Sequence, residues 1–205
     1  MKRYLISLGG SGTGSIQTLL GDKVNYPPTL PYNNAHERDF TKPLKGSKVV
    51  YLIANPYDII LSHFRRDFLK SPYEGAQLLG SGKELLSKKR RWLLEDFLDL
   101  KKDPMKFKEH FCGWFNHKER NYDILFAKYD YLNKSIFDIC TFYNIGEEVA
   151  KSYTFRKRNV SYLNQSKEIQ EKLQNMYGDL FEIYQNLEPI IINPSHNIGE
   201  KNNDK

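Results

Sequence analysis

The sequence predicts an α/β domain of three layers, in which a central, mainly parallel sheet is flanked by helices. Two observations predict this class. Short apolar segments typical of buried strands alternate along the chain with segments whose apolar residues recur at helical spacing. The first apolar segment also runs into a cluster of glycines and then into a helical pattern, the order found in P-loop domains. We therefore expect one P-loop-type domain over residues 1–192, followed by a flexible tail over residues 193–205.

Composition narrows the class of protein. The chain of 205 residues is long enough to bury a substantial core, and its hydrophobic fraction of 40% is near the average for globular domains. No apolar run approaches the roughly 20 residues that span a bilayer, so we expect no membrane span. Two cysteines are too few for a disulfide scaffold, which favours a cytoplasmic location. The net charge of +6 favours an anionic partner.

Local patterns predict the elements of the first half of the chain. Two short, continuous apolar runs are typical of buried strands. One helix is expected to begin near Ser15, after the glycines, and another at Pro56, because proline is favoured in the first turn of a helix. Four prolines make residues 22–46 mostly loop. The two predicted strands are residues 4–8 and residues 48–54.

The second half predicts more helices and one more strand. Glycines and a proline make residues 71–82 a connection or lid. Helical spacing is clearest in the last helix, whose apolar residues run from Ile169 to Leu187. An aromatic stripe in the helix that starts at Asp103-Pro104 is expected to be core rather than a ligand site. The remaining predicted elements are a helix over 83–101, a strand over 123–128 and a helix over 133–143.

The segment from Gly9 to Gly14 is the first candidate site. Glycines allow backbone N–H groups to converge on an anion, and a helix N-terminus adds partial positive charge. The spacing is that of a Walker A loop, but Ser15 and Ile16 stand where that motif has Lys and Ser or Thr, which disfavours a nucleotide triphosphatase. A tight turn without a ligand is the alternative. The residues expected to bind the anion are Gly10, Ser11, Gly12, Thr13, Gly14 and Ser15.

A second segment follows the glycine-rich loop in a specific order. Ser11-Gly12-Thr13 lies in the loop, and Asn55-Pro56-x-Asp58-x-x-x-Ser62 begins where the second strand ends. Together they resemble the sulfotransferases that use 3′-phosphoadenosine 5′-phosphosulfate (PAPS). Further segments similar to that family follow in the same order, namely Ile124-Leu125-Phe126 with Tyr129, Phe155-Arg156-Lys157-Arg158, and Tyr177-Gly178-Asp179-Leu180-Phe181.

The resemblance implies that PAPS, or its product adenosine 3′,5′-bisphosphate (PAP), binds across these segments. It assigns the 5′-phosphosulfate to the glycine-rich loop and the 3′-phosphate to Ser62 and the basic residues Arg156, Lys157 and Arg158. Two positions depart from the family pattern, because Gly10 replaces a loop cation and Ala54 replaces a phosphate-binding arginine. Each departure removes a charge-assisted contact worth about 1.5–3 kcal/mol. The candidates to replace the loop cation are Lys42, Arg65 and Arg66.

The same resemblance places a proton acceptor, a His or a Glu, between the two motifs. His36 and Glu37 lie in this part of the chain. A histidine with a pKa of about 6.5 suits proton removal at neutral pH, whereas a glutamate needs its pKa raised by burial. An exposed loop histidine without a role is the alternative for His36. Neither a His-x-x-x-His nor a Cys-x-x-Cys pair occurs in the sequence, so no metal site is expected.

Transfer of a sulfuryl group from PAPS to a hydroxyl or amine acceptor is therefore the expected function. A P-loop kinase for a small substrate stays open, as does a non-catalytic nucleotide-binding relative, which the departures at Gly10 and Ala54 favour. Nucleic-acid binding is weaker, because the aromatic residues are needed for the core and no nucleic-acid motif occurs. We also expect Gly12→Val to abolish nucleotide binding and to leave the fold intact, since glycine permits a close backbone approach.

Overall fold

The computed structural model describes residues 1–24, 45–65, 93–100, 103, 105–155 and 159–193. These residues form a four-stranded sheet with flanking helices, which confirms the predicted three-layer α/β class. The strands are β1 (Arg3–Ser7), β2 (Lys48–Ile53), β3 (Asp123–Lys128) and β4 (Ile190–Asn193). The helices of the described residues are α1 (Thr13–Leu20), α2 (Pro56–Arg65), α3 (Leu94–Leu98), α4 (Phe107–Asn116), α5 (Leu132–Phe142), α6 (Glu147–Lys151) and α7 (Lys167–Asn186).

The sheet brings the two sequence motifs to one edge. Its strand order is β1-β2-β3-β4, with the first three strands parallel and β4 antiparallel to β3. Ser7 pairs with Leu52, and Ile53 pairs with Lys128, so the three parallel strands end level with one another. The glycine-rich loop after β1 and the start of α2 after β2 therefore lie at the carboxyl edge, where open α/β sheets bind their ligands.

Aromatic side chains of α4 fill the core beside the sheet. Phe111 and Trp114 are both 0% exposed, and their rings lie 5.8 Å and 6.2 Å from the ring of Tyr51 on β2. Phe115 packs edge-on against Phe126 of β3 at 5.1 Å. The predicted assignment of this stripe to the core is confirmed, since offset and edge-to-face aromatic packing of this kind is typical of protein interiors.

Tyr143, directly after α5, fastens this helix to the sheet. Its hydroxyl donates to the carbonyl of Tyr4 at 2.5 Å and accepts the N–H of Val50 at 3.2 Å, so it bridges β1 and β2. The Nε of Arg3 donates to the carbonyl of Tyr143 at 2.6 Å. A fully buried side chain thus satisfies backbone groups of two neighbouring strands.

Two helix predictions need correction. Within the described part of residues 83–101 the helix covers only Leu94–Leu98, and Leu93 and Leu100, which have helical spacing in the sequence, are 54% and 37% exposed. α4 begins at Phe107 and not at 103–104, because the carboxylate of Asp103 accepts the N–H groups of Met105 and Phe107 while Lys106 has a φ of 51°.

Two elements were not predicted. α6 is a helix of five residues, too short for apolar periodicity to reveal. β4 follows the last helix and pairs with β3, so Asn193, placed in the tail by the sequence, is the last residue of a strand. Residues 194–205 lie outside the described part of the chain.

Candidate functional site: an anion-binding edge

The glycine-rich loop has a backbone that requires glycine. Gly9, Gly10 and Gly12 have φ angles of 80°, 60° and 80°, in the left-handed region that other residues rarely adopt. The Oγ of Ser7 accepts the N–H of Gly9 at 3.0 Å, and the Oγ of Ser11 donates to the carbonyl of Gly9 at 3.0 Å. These bonds hold the loop in a tight turn that delivers the chain to the start of α1.

Among the described residues, several N–H groups at the start of α1 have no acceptor and are therefore available to an anion. The N–H groups of Ser15 and Ile16 donate to the carbonyl of Gly12, at 3.0 Å and 3.2 Å. Those of Gly12, Thr13 and Gly14 donate to no acceptor within the described residues. The first turn of α1 contains no acidic residue. The helix N-terminus therefore offers N–H donors and partial positive charge with no competing carboxylate of its own.

Gly12 and Gly14 have opposite surroundings. A Cβ on Gly12 would lie 2.6 Å from two ring carbons of Tyr129, whereas a Cβ on Gly14 would meet none of the described residues within 4 Å. Gly12→Val is therefore expected to destabilise the fold as well as to block binding, because the side chain would clash with Tyr129 and strain a φ of 80°. Gly14 faces the open space in which a ligand could approach α1.

A cleft of about 440 Å³ opens from this space along the side of α1. Its lining combines small and polar side chains of α1 with the segment that follows α6. Tyr153 is half-buried in this wall, and burial raises the pKa of its hydroxyl. No motif in the sequence marks this second wall, although its polar residues lie just before the basic run at 156–158. The lining residues are Gly14, Ser15, Thr18, Leu19, Ser152, Tyr153 and Thr154.

The chain on either side of the basic run is attached to the two motifs. Before the run, Phe155 packs on Tyr129, the residue beneath Gly12, with ring centroids 5.5 Å apart. After the run, the N–H of Tyr162 donates to Oδ1 of Asp58 in the first turn of α2 at 2.8 Å. Arg156, Lys157 and Arg158 themselves lie outside the described residues, as do His36 and Glu37.

The second motif has both structural and candidate binding residues. Asn55 accepts the N–H of Tyr57 through its Oδ1 at 3.0 Å, which caps the start of α2. Ser62 is 8% exposed and lies about 9 Å along the helix axis from Pro56, at the rise of about 1.5 Å per residue. Ala54, which replaces the family's arginine, is 1% exposed and ends the buried run of β2. Ser62 thus stays a prediction as a phosphate ligand.

The cations near this edge have other positions or partners. Lys128, at the end of β3, donates through Nζ to the carbonyl of Leu187 at 2.8 Å and therefore stabilises the end of α7. Its Nζ also lies 4.7 Å from the ring centroid of Tyr184, and burial lowers its pKa. Arg65 is exposed at the last position of α2, about 14 Å along the axis from the helix start. Lys42 and Arg66, the other candidates for the loop cation, lie outside the described residues.

The described residues have neither a metal-binding cluster nor a membrane-spanning helix. They contain no group of three or more His, Cys, Asp and Glu side chains that could hold a metal ion. None of their helices has the length and apolar character needed to cross a membrane.

Comparison of the chain with protein-family models, with curated proteins and with solved structures finds no match.

Proposed function

We propose that this chain binds PAPS at the carboxyl edge of its sheet and transfers the sulfuryl group to a hydroxyl or amine acceptor. The observation that carries the proposal is the convergence of three separate segments at that edge. The glycine-rich loop, the start of α2 and the two flanks of the basic run are joined by the contacts of Tyr129 with Phe155 and of Asp58 with Tyr162. These are the segments on which the family resemblance rests.

We assign the two phosphate-bearing ends of the nucleotide to separate parts of this edge. The N–H groups of Gly12, Thr13 and Gly14 are placed to receive the 5′-phosphosulfate, and the cleft beside α1 has room for the rest of the nucleotide. Ser62 and the basic run at 156–158 are assigned to the 3′-phosphate. PAPS supplies the activated sulfuryl group, and the chain supplies position and positive potential.

His36 is proposed to accept the proton of the attacking hydroxyl or amine, with Glu37 as the alternative. A histidine whose pKa is near its ordinary value of about 6.5 serves as a base at neutral pH. With an acceptor that supports turnover, His36→Ala is expected to lower the rate by about 10²–10⁴-fold at unchanged PAP affinity. A rate within a few-fold of the parent would move the role to Glu37.

A nucleotide-binding relative without turnover is the second candidate. Two observations favour it. Gly10 provides no cation at the loop, and Lys128 at the same edge is engaged with the end of α7. Tight PAP binding without sulfuryl transfer to a broad set of hydroxyl and amine acceptors would favour this candidate.

Calorimetric titration with PAP, AMP and ATP tests the proposal. PAP is expected to bind more tightly than AMP, because only PAP carries the 3′-phosphate. Replacement of Arg156 and Arg158 by Ala should reduce the affinity for PAP much more than that for AMP. A matched control replaces Lys2 and Lys118 by Ala, since both are exposed and precede β1 and β3 at the opposite edge of the sheet.

Three results would count against sulfuryl transfer. Equal losses of affinity for PAP and AMP on replacement of Arg156 and Arg158 would mean that the basic run contributes only general positive charge and does not contact the 3′-phosphate. A loss of PAP affinity in the Lys2 and Lys118 control as large as that in the arginine variant would have the same meaning. Mg²⁺-dependent turnover of ATP, with no preference for PAP, would favour a kinase instead.

A further inference from the structure

Ser7 lies directly behind the anion-binding loop without reaching its surface. It is the last residue of β1 and is 0% exposed, whereas Thr13 at the start of α1 is 8% exposed. The two hydroxyl oxygens, Ser7 Oγ and Thr13 Oγ1, are 2.7 Å apart, and Ser7 Oγ also accepts the N–H of Gly9 at 3.0 Å. Any effect of Ser7 on a ligand must therefore pass through its neighbours.

The direction of this hydrogen bond is set when an anion is bound. A phosphate or sulfonate oxygen only accepts hydrogen bonds, and the hydroxyl of threonine has a single hydrogen to donate. If that hydrogen points to the anion, the contact of 2.7 Å requires the hydroxyl of Ser7 to donate to Thr13 Oγ1. Ser7 can do this while its oxygen accepts the N–H of Gly9.

We propose that Ser7 is a positioning residue that orients the hydroxyl of Thr13 toward the 5′-phosphosulfate. This inference rests on the proposed function, because it needs an anion at the loop. Ser7 fixes the one orientation in which Thr13 donates outward, and Thr13 makes the contact. The order of hydrogen bonds is Ser7 to Thr13 and Thr13 to the anionic oxygen, a chain in which each bond strengthens the next.

A double-mutant cycle with PAP as the probe tests this role. Thr13→Val keeps the shape of the side chain and removes its hydroxyl, and we expect it to weaken PAP binding by roughly 10- to 100-fold. Ser7→Ala leaves Thr13 free to rotate among about three staggered orientations, so we expect a loss of roughly 3- to 10-fold. In the Thr13→Val background, Ser7→Ala should change PAP affinity by less than about twofold.

A purely structural role of Ser7 gives a different result. If Ser7 only holds the loop through Gly9, Ser7→Ala will cause the same loss with and without the Thr13 hydroxyl, and the proposal is overturned. Urea unfolding reports whether each variant is folded. If Ser7→Ala does not fold, Ser7→Cys replaces it in the cycle, because cysteine has a similar volume and a weaker donor. The loss of PAP affinity in Ser7→Cys should be smaller than that of Thr13→Val and should likewise vanish in the Thr13→Val background.

The same titrations distinguish failure of the proposed function from failure of the role of Ser7. A folded parent protein that does not bind PAP would overturn the proposed function and the role of Ser7 together. Parent binding combined with additive losses would overturn the role of Ser7 alone.

Discussion

Gly14 offers the sharpest test of the anion-binding edge, because a side chain there adds no clash. A Cβ on Gly14 meets no atom of the described residues within 4 Å, so Gly14→Val places three carbon atoms in the space proposed for the ligand. Gly12→Val makes the same chemical change two residues earlier and puts its Cβ 2.6 Å from the ring of Tyr129. The two variants therefore separate loss of binding from loss of folding.

The expected free energies have opposite signs for the two variants. Glycine is about 1 kcal/mol less favourable than alanine in a helix, and valine lies between them, so Gly14→Val should raise the free energy of unfolding by a few tenths of a kcal/mol. Gly12→Val combines left-handed strain of about 1–2 kcal/mol with overpacking of about 1–3 kcal/mol, a loss of roughly 2–5 kcal/mol. Blocking one charge-assisted amide contact at Gly14 costs about 1.5–3 kcal/mol of binding, or roughly 10- to 150-fold in PAP affinity.

Urea unfolding and calorimetric titration with PAP measure the two effects on the same samples. Gly178→Ala is the control, since Gly178 lies within α7 and the three atoms nearest to its added Cβ all belong to the side chain of Gln174. Its PAP affinity should equal that of the parent. A folded Gly14→Val protein that binds PAP within threefold of the parent would refute the placement of the anion. A free energy of unfolding for Gly14→Val more than about 1 kcal/mol below that of the parent would show that the space beside Gly14 is not open.

Three further predictions concern stability. Tyr143→Phe leaves two backbone groups of the sheet without their bridging hydroxyl, so urea unfolding should show a loss of about 1–3 kcal/mol, and an unchanged midpoint would contradict the bridge. Arg120 is 4% exposed, and its Nε and Nη1 have no hydrogen-bond partner in the described residues. Because a buried charge without full hydrogen bonding costs free energy, Arg120→Met should stabilise the fold by about 1–3 kcal/mol, and a loss of stability would disprove this. Burial raises the pKa of Asp103, so its contribution to stability is present below the unfolded pKa of about 3.9 and is lost as pH rises through the raised folded value. Asp103→Asn should remove this part of the pH dependence of unfolding, and an unaltered pH profile would exclude it.

The elements that the sequence predicted well are those whose cause is local. Residues 123–128 form β3 with the predicted bounds, since a continuous apolar run between polar residues needs no knowledge of its partners. The last helix buries Ile169, Leu173, Tyr177 and Leu180 at the predicted spacing of three and four. The turn after β1 follows from glycines alone, because few other residues adopt its positive φ angles.

The sequence predicted which residues form the glycine-rich part of the candidate site, but only the fold showed which other residues lie beside them. The glycine-rich loop was identified from its composition, but the polar wall formed by Ser152, Tyr153 and Thr154 became evident only when the chain after α6 was seen beside α1. The role inferred for Ser7 likewise needs a distance, because Ser7 and Thr13 are neighbours only through the turn between them.

Other features were decided by contacts between distant parts of the chain. Leu93 and Leu100 have helical spacing but lie outside the core, because burial depends on what packs against a helix and not on its period. β4 exists as a strand because β3 offers an unpaired edge to Ile190–Asn193. Sequence alone treats Gly12 and Gly14 as equivalent, and only the position of Tyr129 makes one of them a packing requirement and the other an opening for a ligand. Local sequence thus determines which backbone shapes the chain can adopt, and long-range packing determines which surfaces remain free to bind.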